Sequence, residues 1–552
     1  MIPGAGGQPI FILKDGTERT HGRTAESNNI AGARAVADAV RSTLGPMGRD
    51  KMLVDPAGNM TITNDGVSIL REIDVQHPSA KMVVEVAKSQ EEKCYDGTTT
   101  AVVLAGELLR VAEEMLVKGV HPTTICKGYE RACDMATGKL RQVSDAIKKK
   151  DKGARYKQTA LTALNGKTAE GIGESLASLC CEAVSFNKNR EDGDGVDLDM
   201  IRVVKSIGDG TAETSLFDGL VLEKAWANSE GRPVTASSVL LLGCAIERKE
   251  IGQNITISNA EEIERIMSIE ESAIREQVAT IHESGARAVF VQKKVDDLAL
   301  HYLTKHGILV AQMVKKSDLQ LLSTLSGATI VSDVSDVTSE SLGNTGQIKT
   351  VKHGPNEVLY IPHESPKFHT GITTVVVTGS TNHVVDEIER AVDDCLGVVS
   401  LLGDGQDEFI IPGAGSAEMI ASNWLTDESR EWDISGRELM AIQKFAEALQ
   451  IIPATIAENA GLDPIDVIPE LIRIHAQTKG DGYSDIGVNA TRKQGEDMVI
   501  GALGLGIVQP VKVSTQAIRS ATEVAVMILR IDDVISMKGG GGPPPPNFGS
   551  TE

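Results

Sequence analysis

Apolar residues recur every three or four positions between 28 and 44, and Ile30, Ala33, Val36, Ala37, Val40 and Leu44 fall on one face. That spacing predicts a helix, closed by the breaker cluster Gly45-Pro46-Met47-Gly48. Residues 51–54 and 60–63 flank the turn Asp55-Pro56-Ala57-Gly58-Asn59 and read as a hairpin. A second acidic turn follows at Asn64-Asp65-Gly66. Helical spacing returns over 78–93. It returns again in an apolar run from 101 to 109 that can continue to Gly119, and over 120–150, ending in a basic run at 148–152. Ahead of these elements, residues 1–25 are polar and Gly-rich and read as a tail or as an edge strand at 9–14.

Further on, 170–186 reads as an amphipathic helix, and 196–199 and 201–204 as strands. From 219 the pattern changes to short apolar strands alternating with helices. Strands are predicted at 239–242, 288–291, 308–312 and 328–331, with helices at 295–302 and 316–325. Ser258 and Glu261 form a capping box that opens a long helix, with Ile263, Ile266, Met267, Ile274, Val278 and Ile281 on one stripe and Gly285 as its stop. This alternation predicts an α/β domain. Over 384–399, Val384, Ile388, Ala391, Val392, Cys395 and Val399 recur at helical spacing. The acids Asp386, Glu387, Glu389, Asp393 and Asp394 lie among them, most on a solvated face. The tail at 539–546 is four glycines and four prolines, a low-complexity segment.

A chain of 552 residues is too long for one core, so two to four domains are expected. The balance of 77 acidic against 55 basic residues gives a net charge of −22, which argues against a nucleic-acid surface. Aromatics at 3% also argue against base-stacking platforms. No apolar run approaches the roughly 20 residues a membrane span needs. No charged head and apolar h-region marks a secretory signal, so a cytoplasmic protein with no membrane partner is expected. Seven cysteines, none in C-x-x-C spacing, fit a reduced chain. The histidines are scattered without H-E-x-x-H, which argues against a zinc site.

The chemistry concentrates at Asp96-Gly97-Thr98-Thr99-Thr100, a loop running straight into a helix. A helix N-terminus offers backbone N–H groups and the positive pole of the dipole, both suited to phosphate. An aspartate beside phosphate needs a cation between them, and Mg2+ takes one or two carboxylates plus phosphate oxygens. An Asp N-cap followed by a Thr-rich first turn explains the same residues equally well at this point.

Three stretches carry a resemblance: Thr43-Leu44-Gly45-Pro46-Met47-Gly48, Ile62-Thr63-Asn64-Asp65-Gly66-Val67 and Asp96-Gly97-Thr98-Thr99-Thr100-Ala101-Val102. In this order and spacing they resemble the N-terminal nucleotide motifs of the chaperonins. Asn64 before Asp65, and the C-terminal half, resemble the group II branch, whose archaeal members are the thermosomes. The resemblance covers 8 to 538 and implies the multidomain chaperonin fold. A mainly α-helical equatorial ATP-binding domain would comprise 1–150 and 404–552. A small α/β intermediate domain would comprise 151–218 and 367–403. An α/β apical domain would occupy 219–366, with a helical lid protrusion near 246–272.

Residue by residue, the resemblance gives Thr43, Leu44, Gly45, Pro46, Gly97, Thr98, Thr99 and Thr100 to the nucleotide, chiefly its phosphates. It adds Lys167 as a γ-phosphate sensor, the Gly-rich turn Gly413-Ala414-Gly415, an adenosine-contacting loop with Asn489 and Ala490, and Gln509 beside the ribose. Asp96 would hold Mg2+, Asp65 and Asp394 would act on the attacking water, and K+ is a candidate further cation. The implied function is an ATP-dependent chaperone: a subunit of a homo- or hetero-oligomeric double ring of like subunits that encloses unfolded protein on ATP hydrolysis. Three positions depart from the family pattern. Tyr95 stands where a glycine is usual, Ala414 interrupts a run of glycines, and Gln509 replaces an acid. If position 95 needs positive φ, a tyrosine costs about 1–2 kcal/mol there. These departures keep open the alternative of a ring subunit with weak or no ATPase and a binding or structural role.

Overall fold

Helical periodicity and turn chemistry carry over into most of the elements of the computed structural model. It describes residues 2–3, 9–10, 17–146, 151–166, 172–188, 195–208, 210–228, 238–247, 260–353, 356–364, 370–403, 409–432, 434, 436–477, 483–493 and 495–537. The chain divides into two units, one of Met1–Ser144, Ile411–Leu505 and Val511–Glu552, the other of Asp145–Ile410 and Gly506–Pro510.

The first unit is mainly helical, and its core forms around the helix Thr98–Val117. That helix is apolar on nearly every side, with Leu104, Leu108, Leu109 and Met115 fully buried. Each such side chain contributes about 1.5–3 kcal/mol on burial. The helix Arg23–Arg41 packs closely on it because Gly106 lacks a side chain: a Cβ there would lie 2.4 Å from the Ala37 Cβ. Tyr129 stacks edge-on against Phe445 and donates its hydroxyl to the Leu108 carbonyl at 2.7 Å. This satisfies the one polar atom that a buried tyrosine brings into a core. The strands Lys51–Val54 and Met60–Thr63 form the expected hairpin, with Met52, Val54, Met60 and Ile62 exposed. A pairing not foreseen joins the two ends of the chain, Thr17–His21 running antiparallel to Asp533–Met537 with Arg19 paired to Asp533.

In the second unit, four parallel strands lie in the order Leu309–Ala311, Ala288–Val291, Ser238–Leu242, Ile330–Val331. The inner strands are buried on both faces, as parallel sheets covered by helices are. Val239, Leu241, Ala288 and Phe290 share a core with Leu319 and Leu322 of the helix Lys316–Ser326. Leu240, Leu242, Val289 and Val291 face the opposite way, onto Ile274, Val278 and Ile281 of the helix Ala260–Ser284. A separate three-stranded sheet sets Thr373–Gly379 between Ile201–Ile207, parallel, and Ser215–Phe217, antiparallel. The helices Lys152–Leu164, Gly173–Lys188 and Asn382–Leu401 complete this part of the unit.

Several boundaries differ from the sequence reading. The first long helix begins at Arg23 and ends at Arg41. Residues 196–199 are not a strand: the Asp197 side chain accepts from the Asp199 N–H and caps a single 3-10 turn, Leu198–Met200. The helix expected at 295–302 is Asp297–Lys305, because Asp296 caps it through the Leu298 N–H at 2.8 Å. Of the strand expected at 9–14, Pro9–Ile10 pairs with Ile2–Pro3, and the remainder lies outside the described residues. Ser258 of the capping box, and 248–259 of the expected protrusion, also lie outside them. Among the described residues no helix is long and apolar enough to cross a membrane.

Candidate active site

The helix Pro78–Cys94 ends where Tyr95 turns left-handed, φ 58° and ψ −1°, with its N–H on the Glu91 carbonyl at 2.9 Å. Gly97, two residues on, is left-handed as well at φ 78°, and the helix Thr98–Val117 starts from it with no side chain capping its first turn. Asp96 sits between the two reversals. Its Oδ1 accepts from the Gly97 N–H at 2.7 Å, and Gly97 itself is the N-cap residue. The geometry therefore sets aside the Asp N-cap explanation. What remains is a half-buried carboxylate at the edge of a helix end whose N-cap residue, Gly97, has no side chain to cap the first-turn N–H groups.

The Asp65 turn presses on that helix end. A Cβ on Gly66 would lie 2.6 Å from Thr99 Oγ1 and 3.3 Å from Thr98 Oγ1, so only glycine fits. Asp65 caps the short helix Gly66–Glu72, its Oδ1 accepting from Val67 N–H at 3.3 Å and its Oδ2 from Ser68 N–H at 2.9 Å. These two bonds fix the direction of its carboxylate.

The helix Ile451–Asn459 ties two further expected loops together. Asn459 Nδ2 donates to the carbonyls of Arg41, at 3.1 Å, and Leu44, at 2.8 Å. Thr43 donates its hydroxyl to the Val40 carbonyl at 2.9 Å, and Gly45, at φ 86°, approaches Ile456. Pro46 follows, half-buried. Pro453 of the same helix lies under Gly415, where a Cβ would come within 2.8 Å of it. Gly415 is left-handed at φ 76° and opens the helix Ser416–Glu428, again with no side-chain cap. Gly413 and Ala414 precede it, and Ala414 has φ 54°. The Ala414 carbonyl accepts from Val488 N–H at 2.9 Å, which joins the Gly-rich turn to the loop of Asn489 and Ala490. Asn489 is buried and donates to the Asp497 carbonyl at 2.9 Å. Glu418, in the first turn of that helix, is buried, and burial pushes its carboxyl above the usual range.

Thr43 to Pro46, Asp65, Asp96 to Thr100, Gly413 to Gly415, Asn489 and Ala490 thus all belong to the first unit. Asp394 and Gln509 belong to the second, both half-buried, Gln509 within the strand Val508–Pro510. Lys167 lies outside the described residues. On the helix Asn382–Leu401, Lys205 pairs with Asp386 at 3.0 Å and with Glu389 at 2.9 Å, and Arg390 pairs with Glu387 at 3.0 Å. Sequence reasoning assigned nothing to Asn459 or Gln90, although both hold site loops through backbone carbonyls. A buried amide signals itself only once the fold shows two carbonyls converging on it.

The donor set fits Mg2+. Asp96, the Thr98–Thr100 hydroxyls and phosphate oxygens are all hard oxygen ligands. Among the described residues no three or more His, Cys, Asp or Glu gather as an all-protein cage. Mg2+ needs no such cage, since it takes one or two carboxylates and fills its shell with phosphate oxygens and water.

The sequence profile of the TCP-1/cpn60 chaperonin family matches residues 36–539. The chain belongs to that family, and its function is that of a molecular chaperone. It is similar to the thermosome subunit beta of Archaeoglobus fulgidus, 44% identical over 97% of this chain and 96% of that protein. It is also similar to the thermosome subunit of Pyrococcus abyssi, 44% identical over 96% and 94% respectively. Against that of Methanopyrus kandleri the identity is 43% over 98% and 96%. These relatives place it in the group II branch, as the N-terminal motifs implied.

Proposed function

We propose that this subunit hydrolyses ATP and couples hydrolysis to the folding of unfolded proteins inside a ring. The observation that carries the reading is the Asp96 loop: a carboxylate set beside an uncapped helix end, with the Asp65 turn pressed onto the same residues. Phosphoryl transfer to water needs charge neutralisation and an aligned water more than covalent help from the protein. Asp96 is the residue that would hold Mg2+, which when bound supplies that neutralisation. The N–H and hydroxyl groups of Thr98, Thr99 and Thr100 cradle the phosphates, with Gly45 and Gly97 giving close backbone approach. Asp65, its carboxylate already directed by two N–H donors, orients the attacking water. Asp394 shares that task and takes the proton as the water attacks. Lys167, Asn489, Ala490 and Gln509 complete nucleotide recognition in this reading, and K+ is a candidate second cation.

The wider reading divides the chain into equatorial (1–150 and 404–552), intermediate (151–218 and 367–403) and apical (219–366) domains, with a lid near 246–272. The hairpin Lys51–Val54/Met60–Thr63 and the pair Thr17–His21/Asp533–Met537 are both two-stranded sheets. Their open edges, and the exposed Met52, Val54, Met60 and Ile62, suit strand sharing between neighbours in a double ring. The net charge of −22 argues against a nucleic-acid partner, and a cytoplasmic setting without a membrane partner belongs to the same reading.

One observation favours a second reading, a ring subunit with weak ATPase: Tyr95 and Ala414 both occupy left-handed backbone beside the candidate phosphate and adenosine loops. Steady-state ATPase of the wild type, with Asp96→Ala as control and negative-stain images of the assembly, separates the two. Hydrolysis lost in the variant supports the first, and no hydrolysis by an assembled wild type supports the second.

A further inference from the structure

We propose that Gln90 is the positioning residue of the Asp96 loop: its side-chain amide fixes the Asp96–Gly97 peptide, and through it the direction in which Asp96 presents its carboxylate. The inference rests on the reading of residues 96–100 as the MgATP loop.

Gln90 lies on the helix Pro78–Cys94, one turn before its end, and is 0% exposed. Its Nε2 donates to the Asp96 carbonyl at 2.8 Å and to the Val513 carbonyl at 3.2 Å. Both partners are acceptors only, so the amide has one workable orientation; reversed, Oε1 would face two oxygens. That orientation is kept although Oε1 finds no hydrogen-bond partner among the described residues. The two donated bonds therefore dominate the side chain's placement.

What they fix is the peptide plane. The C=O and N–H of a trans peptide point in opposite directions. With the Asp96 carbonyl drawn toward Gln90, the Gly97 N–H is turned away from the core, where it holds Asp96 Oδ1 at 2.7 Å. Left-handed residues bracket the peptide, Tyr95 at φ 58° and Gly97 at φ 78°. A loop with two such reversals has other peptide orientations open to it unless something selects one. The packing leaves little slack: a Cβ on Gly97 would lie 2.9 Å from Val513 Cγ1 and 3.1 Å from Gln90 Nε2. Val513 belongs to the helix Val511–Leu529, and Cys94 donates its thiol to the Lys512 carbonyl at 3.8 Å beside it. Gln90 thus references the carboxylate to a long buried helix and not to the loop alone.

The test uses Gln90→Leu, near in volume and without donors, in the full chain as it assembles. The readout is the affinity for a fluorescent ADP with excess Mg2+ and with EDTA, beside wild type and Asp96→Ala. A misdirected carboxylate weakens only the Mg2+-dependent part of binding. The ratio of the two affinities should fall on the order of tenfold in Gln90→Leu, with affinity in EDTA within about twofold of wild type. A residue that merely packs would lower both affinities together or neither, and either result overturns the proposal. If Leu leaves the subunit unfolded, Gln90→Met, unbranched and donor-free, carries the same readout. Should Asp96→Ala keep the full Mg2+ effect, the reading of the loop itself fails, a result distinct from an unaffected Gln90 variant.

Discussion

Two helix ends in the first unit share a design and differ in one charge. At Tyr95–Thr98 and at Ala414–Ser416 a non-glycine residue takes positive φ, a glycine takes positive φ before the helix, and no side chain caps the first turn. Each therefore presents orphan N–H groups to an anion. Asp96 stands between the two reversals of the first, whereas the second is neutral and tied by its Ala414 carbonyl to Val488. The acid of the second helix, Glu418, is buried, and that burial pushes its carboxyl above the usual range. The shared geometry suits a polyanion, and the one ionisable group at the edge of the first loop is what would localise metal-dependent chemistry there. In the proposed reading the second loop would line the unreactive part of the nucleotide.

The largest expected effect comes from erasing that difference. Asp96→Ala should cut steady-state ATP hydrolysis by on the order of 10²–10³-fold, the loss seen when a transition-state charge stabiliser is removed. Asp394→Ala should abolish turnover as fully while nucleotide binding, followed by fluorescence titration, stays near wild type. Asp393→Ala should leave both within about twofold, and the reverse outcome would shift the assignment by one residue along this helix. Gly66→Ala forces a Cβ to 2.6 Å from Thr99 Oγ1. It should cost about 1–3 kcal/mol by overpacking, read in a denaturant melt, and slow hydrolysis alongside. Smallest are Tyr95→Gly and Ala414→Gly. Each relieves a left-handed backbone position and should stabilise the fold by about 1 kcal/mol without changing turnover. A several-fold rise in turnover for Tyr95→Gly would instead favour the weak-ATPase subunit.

Periodicity made the long elements legible, because a residue's face on a helix or strand follows from spacing alone. The hairpin at 51–63 and the strand at 288–291 appear where the pattern put them. Caps moved other boundaries: Asp296 and Asp197 each start an element through a side-chain acceptor, and a short polar residue in a turn does not announce which neighbour it will cap. The pairing of Thr17–His21 with Asp533–Met537 was invisible, since it joins residues 514 apart at Arg19 and Asp533. At the site, the residue types of the Asp96 loop pointed to phosphate and metal, but only backbone geometry shows that Gly97 and not Asp96 caps the helix. Gln90 and Asn459 were missed because their partners are backbone carbonyls, which no side-chain pattern records.

The central claim is that Asp96 couples a divalent cation to phosphate at the Thr98 helix end. Calorimetric titration of a non-hydrolysable ATP analogue, with and without Mg2+, into wild type and Asp96→Ala tests it directly. Mg2+ should tighten binding to the wild type by about tenfold or more and have no such effect on the variant. An equal Mg2+ effect in both proteins, or no binding by the wild type, would contradict it.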